Sequence, residues 1–204
     1  AGTFNDLALS YAIITDKRDR AFKPTDGYVA NFSQSLPIYA DSAYIKNSVA
    51  FSKYRSLSPD VIGAVKVRAA AINGLGDKDV RISKRLGISE TKLRGFKAGK
   101  IGPKDGIDYV GGNYSATVNL EANLPNLLPD NFKTELGAFV DFGNLWGVDY
   151  SGAVEDSNKI RSSAGINASW LSPVGPMSFT FSQNLMKGST DETESFNFRL
   201  GTTF

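Results

Sequence analysis

The sequence predicts an all-β fold, an antiparallel up-and-down transmembrane β-barrel, and three observations point to it. Residues alternate apolar and polar over segments of about ten, which is the period of an extended strand. The polar parity is small, hydroxylated, amidic or charged, as a wet inner wall requires. Short Pro-bearing turns and long Gly- and charge-bearing loops alternate along the chain, the asymmetry of a barrel with turns at one rim and loops at the other. A soluble β-sandwich also alternates. The length of the strands and the two-sided loop pattern favour the barrel.

Candidate strands lie at 4–15, 27–38, 44–57, 61–73, 113–125, 134–145, 160–170, 176–186 and 195–204. In the seventh, Ala164, Ile166, Ala168 and Trp170 oppose Ser163, Gly165, Asn167 and Ser169. In the eighth, Phe179, Phe181 and Leu185 oppose Ser178, Thr180, Ser182 and Asn184. The fifth sets Val118, Leu120 and Leu124 against Thr117, Asn119, Glu121 and Asn123. The last carries Phe196, Phe198, Leu200 and Phe204 on one parity, a C-terminal signal of the kind that marks outer-membrane strands. Strands of this length fit a tilted crossing of the hydrocarbon. Tyr11, Tyr28, Trp146 and Trp170 are expected near strand ends, as an interfacial aromatic belt would place them. Eight strands are expected to close, with nine as the alternative, because bacterial barrels favour even counts. Two chains combining into a larger barrel, a homodimer, is a further arrangement the sequence leaves open.

Composition narrows the chemistry. The 204 residues include no cysteine and no histidine, and 23 basic residues balance 21 acidic ones. Disulfides and thiolate metal sites are excluded, and the commonest general base and metal ligand are missing. No catalytic residue, metal or cofactor is expected. The interspersed charges lack the one-signed basic surface that nucleic acid requires. Nothing in the sequence has the length of a transmembrane helix, and AGTFNDLALSYA does not read as a signal peptide.

The most specific stretch is TKLRGFKAGKIGP, inside the longest loop. Further along stand GGNYSATVNLEANLP, FVDFGNLW and SAGINASWLSPVGPMSFTFSQNL, and upstream DKRDRAFKPTDG. Taken together and in this order, these motifs resemble the BamA-type surface-antigen barrels that assemble proteins into outer membranes. Leu93, Arg94, Gly95 and Phe96 match the family's V-R-G-F-like motif, with Leu for Val. DKRDRAFKPTDG matches a family turn with Lys23 as an extra residue. The resemblance runs from about residue 6 to 204.

It implies a Gram-negative outer-membrane location, a motif loop folded into the lumen, and Arg94 paired with Glu121 and Asp141. Parity places both carboxylates on the inner wall, and Lys66 and Arg68 with them. Asp191, Glu192 and Glu194 are expected to be solvated in the last hairpin loop, and the charged turn at 17–20 likewise. The resemblance further implies a parent protein that folds and inserts outer-membrane proteins, working with membrane lipids, unfolded clients and accessory lipoproteins. It covers only the C-terminal half of a barrel of about sixteen strands, with no POTRA region. One barrel domain over 1–204 is expected, a fragment or reduced relative that is inactive alone and not an enzyme. The alternative function is a passive pore or a polypeptide secretion channel of the related two-partner transporters.

Overall fold

A computed structural model describes residues 5–76, 78–125, 127–128, 134–150, 154–172 and 175–201. Nine long strands form one antiparallel sheet: β1 (Asp6–Asp16), β2 (Gly27–Ala40), β3 (Tyr44–Ser58), β4 (Val61–Gly74), β7 (Tyr114–Leu124), β8 (Thr134–Trp146), β10 (Arg161–Ser172), β11 (Gly175–Met186) and β12 (Phe196–Leu200). Three two-residue strands, β5 (Lys104–Asp105), β6 (Asp108–Tyr109) and β9 (Val154–Glu155), make a small second sheet. A single 3-10 turn covers Ile82–Lys84. Among the described residues no helix is long and apolar enough to cross a membrane.

The sheet order is β1-β2-β3-β4-β7-β8-β10-β11-β12, each long strand pairing with the next along the chain. Of the two strand counts expected, eight and nine, the sheet has nine among the described residues. All nine segments with period two form strands, and β1 and β12 each pair on one side only among the described residues. The sheet is nonetheless curled. Lys23, in the β1–β2 turn, lies 2.5 Å from Glu135 at the start of β8. In a flat sheet β2 and β8 are four strand spacings apart, about 19 Å.

Register fixes the two faces. Phe51↔Val67, Val67↔Val118 and Val118↔Phe142 run in line across four strands on the outward side. Ser52↔Lys66, Lys66↔Asn119 and Asn119↔Asp141 run beside them on the inward side. A one-residue slip would exchange the two sets, so the pattern specifies the pairing strongly. Outward apolar side chains such as Leu9, Ile13, Leu120, Ile166 and Phe181 are exposed. Cross-strand rings pair on this side: Phe179 with Phe198 at 5.1 Å and Phe181 with Phe196 at 4.9 Å between centroids. These pairs hold the short β12 to β11. Phe204 lies outside the described residues.

Tyr28, Trp146 and Trp170 sit at or next to strand ends, but Tyr11 is central in β1. The period of two locates a ring on a face and says nothing about its depth. The phenol of Tyr11 instead donates to Gln34 Oε1 at 2.8 Å, and Gln34 Nε2 donates to Asn47 Oδ1 at 2.6 Å.

The core is inside the curl. Residues 75–113 fold back against the inner wall, where Val80, Leu86, Ile88, Leu93, Phe96 and Ile101 cluster with Ile72 of β4 and Leu145 of β8. Apolar burial of this loop is what balances the entropy of ordering it.

Candidate functional site

Arg94 reaches the inner wall from the loop. Its Nε donates to Asp141 Oδ2 at 2.7 Å and its Nη2 to Asp141 Oδ1 at 2.6 Å, a two-pronged pairing that a planar guanidinium suits. The Arg94 backbone N–H adds a third bond to Oδ2 at 3.0 Å. Nη2 also donates to Glu121 Oε1 at 3.1 Å. β8 presents Asp141 and β7 presents Glu121, two neighbouring strands whose inward parities meet at this height.

The carboxylates are themselves supported. Asp141, with no solvent exposure, also accepts from Asn119 Nδ2 at 2.8 Å. Glu121 accepts from Lys66 Nζ at 2.6 Å, and Arg68 Nη1 donates to Asn119 Oδ1 at 2.8 Å. The Arg94 guanidinium lies 3.7 Å from the centroid of the Phe139 ring, in cation–π contact. Two acids thus meet two cations directly, and the Asn119 amide links a third, Arg68, to Asp141.

The rest of the motif is held from the other side. Ser163 Oγ donates to the Arg94 carbonyl at 2.5 Å and Asn184 Nδ2 to the Gly95 carbonyl at 2.8 Å. Gly95 has φ +88°, a left-handed conformation that side-chain-bearing residues seldom adopt. A Cβ there would meet Ser163, Ser182 and Asn184 side-chain atoms at 3.2 Å each. Leu93 and Phe96 flank this turn, both almost fully buried in the lumenal cluster.

Beyond Phe96 the loop forms a backbone ladder with the β11–β12 loop. Glu194 N donates to Gly95 O at 3.0 Å, Lys97 N to Glu192 O at 3.1 Å, and Glu192 N to Lys100 O at 3.0 Å. Lys97 also donates its ammonium to Glu192, which holds that carboxyl below its ordinary pKa. The Tyr109 hydroxyl donates to the Thr190 carbonyl. Burial pushes that phenol up, with Glu192 and Asp191 adding to the effect.

One expectation fails here. Asp191 is buried rather than solvated: Arg161 Nε donates to its Oδ2 at 2.8 Å and Nη2 to its Oδ1 at 3.0 Å. Arg161 is itself 2% exposed and also donates to Asn144 Oδ1 at 2.5 Å. Three acids within four residues suggest a solvated loop, but a cation, Arg161, faces the first of them. Arg161 shares the inward parity of Ser163 and Gly165, and that was the available signal. Glu192 is half-buried, and Glu194 accepts from Asn197 at 2.9 Å.

A curled, up-and-down antiparallel sheet with apolar side chains outside and a charge-anchored loop inside defines an outer-membrane barrel wall. The chain belongs to the Omp85 superfamily, whose domain matches residues 1–204. It is 29% identical over 209 residues to the outer membrane protein assembly factor BamA of Neorickettsia risticii, covering 100% of this chain and 28% of that protein. The BamA of Nitratidesulfovibrio vulgaris is 30% identical over 200 residues, covering 93% of this chain and 24% of the relative. Among solved structures, the crystal structure of BamA from Haemophilus ducreyi lacking POTRA domains 1–3 matches with a TM-score of 0.85 and 30% identity. That match covers 97% of this chain and 42% of the other. The chain therefore spans about a quarter of the length of these two full-length relatives.

Proposed function

We propose that this chain is the C-terminal wall of an outer-membrane protein assembly factor in a Gram-negative bacterium. The parent protein, on this reading, folds and inserts β-barrel clients without bond chemistry, aided by accessory lipoproteins. Strand edges template incoming strands by backbone pairing, and the surrounding bilayer supplies the apolar solvent. The observation that carries the reading is Arg94 seated on Asp141 and Glu121. It fixes the interior loop to two neighbouring wall strands, β7 and β8. Since Arg94 occupies both carboxylates, a hydrolytic role for them is disfavoured. The alternative, a passive pore, is opposed by the packing of residues 75–113 into the lumen.

The test is a chimera. Residues 1–204 replace the matching region of a full-length assembly factor, which is then reconstituted in vesicles with an unfolded barrel client. Client folding is read by electrophoretic mobility. Folding by the chimera, lost with Arg94→Ala, is the expected result. A chimera that inserts and conducts ions steadily but does not fold the client overturns the reading in favour of a pore. The isolated chain is expected to leave the client's folding rate unchanged.

A further inference from the structure

The outward face carries a groove that the assembly reading does not use. It has a volume of about 520 Å³, within the usual range of about 300–1,000 Å³ for ligand sites. Its lining is drawn chiefly from the outward parities of β3, β4, β7 and β8. Leu57 forms one side by folding over Gly63, where a Cβ would come within 2.8 Å of Leu57 Cδ1. Val65, Leu120 and Val140 continue the apolar wall, and Ala138 keeps the far side low.

Two cations close one end. Lys53 and Arg55 both line the groove, both are exposed, and neither is ion-paired among the described residues. They lie two residues apart on one strand face, about 7 Å along the chain. Their height is informative. β3 has 15 residues, more than the ~9–11 that cross the hydrocarbon, and Lys53 and Arg55 are in its last six. Lys53 is the register partner of Tyr28, an exposed outward ring of the kind found at the headgroup level. This end of the sheet carries the connections 17–26, 59–60, 125–133 and 173–174, none longer than ten residues. The other end carries 41–43, 75–113, 147–160 and 187–195, among them the two longest. Short turns face the periplasm in such barrels, so the cations face the inner leaflet.

We propose that this groove is a binding site for one anionic glycerophospholipid of the inner leaflet, an acyl chain lying along Leu57, Val65 and Leu120 and the phosphate held between Lys53 and Arg55. The charge of the headgroup complements two cations that have no ion-pair partner among the described residues, and the apolar wall suits only hydrocarbon. The inference rests on the reading of the outward face as lipid-facing.

The test reconstitutes the 204-residue chain in phosphatidylcholine nanodiscs containing a minor fraction of phosphatidylglycerol, and counts retained lipids by native mass spectrometry. One phosphatidylglycerol per chain is expected, enriched about tenfold over its share of the bilayer. Lys53→Gln with Arg55→Gln returns it to the bulk share, and Ala138→Leu lowers retention while leaving both cations in place. Equal retention by wild type and the double variant overturns the site, as does equal retention of phosphatidylcholine. Brominated phosphatidylcholine, which quenches outward tryptophans, separates the two readings. Quenching of Trp170 with no lipid preference sinks the site alone, whereas absence of quenching sinks the lipid-facing wall beneath it.

Discussion

Deleting the guanidinium of Arg94 would leave Asp141, a carboxylate without solvent exposure, short of its main counterion. Breaking a buried pair by removing one partner costs about 3–5 kcal/mol, because the remaining charge is uncompensated. Arg94→Ala is therefore expected to lower the unfolding free energy, measured by urea titration in detergent, by that much, and Arg94→Lys by less. An Arg94→Lys variant with unchanged stability would show that the two-pronged geometry contributes nothing. Outside the sheet, Asp19 accepts from the Thr25 hydroxyl and from the Thr25 and Asp26 backbone N–H groups, and its pKa is lowered to about 2. A folded pKa below the unfolded one contributes stability at pH values above the unfolded pKa of about 4. That contribution fades as the pH falls from about 4 to 2. Asp19→Asn is expected to flatten this part of the stability profile, measured by denaturant midpoints across the same window.

At the scale of elements, the β11–β12 hairpin is held by more than its ladder. β12 has only 5 residues, yet its loop is tied to β10 through the buried Arg161–Asp191 pair. Asp191 also accepts from the Gly188 N–H at 2.5 Å, so one side chain both closes the loop and binds it to the wall. Asp191→Asn is expected to speed hydrogen exchange at the Gly188 and Glu192 amides while leaving β7 and β8 unchanged. Uniform acceleration would mean that the pair supports the whole sheet. The nine long strands were legible as segments between turn clusters, and the later ones from clean alternation, because the two faces of those strands meet different surroundings. Lys66 and Arg68 were legible for the same reason. Arg161 and Asp191 were not, because their partnership links residues 30 apart through a loop whose path the sequence does not encode in any period. The depth of Tyr11 was lost similarly, parity being blind to position along a strand.

Over the whole molecule, the outward surface behaves as one apolar band. Ile166, central in β10 and 59% exposed, is a direct probe of it. Ile166→Arg is expected to cost about 2–4 kcal/mol in a bilayer, as charges near the midplane of a barrel wall do. Vesicle flotation should show reduced insertion, whereas Asn167→Arg, on the opposite parity, should be tolerated better. Closure was the least legible property. Pairing partners along the chain are local and follow from short turns, but the meeting of first and last strands depends on total curl, which sums small twists over the whole sheet.

The ladder between residues 95–100 and 192–194 carries a mechanical consequence. Tension applied to the C-terminal end first peels β12 from β11 and then meets the interior loop, because Glu192 and Glu194 precede β12 and are bonded to that loop through their main chains. Peeling the terminal edge therefore comes first, and the loop that carries Arg94 is the next element to take the load. The stopper of this vessel is thus the second catch on its C-terminal edge, engaged once the first has given way.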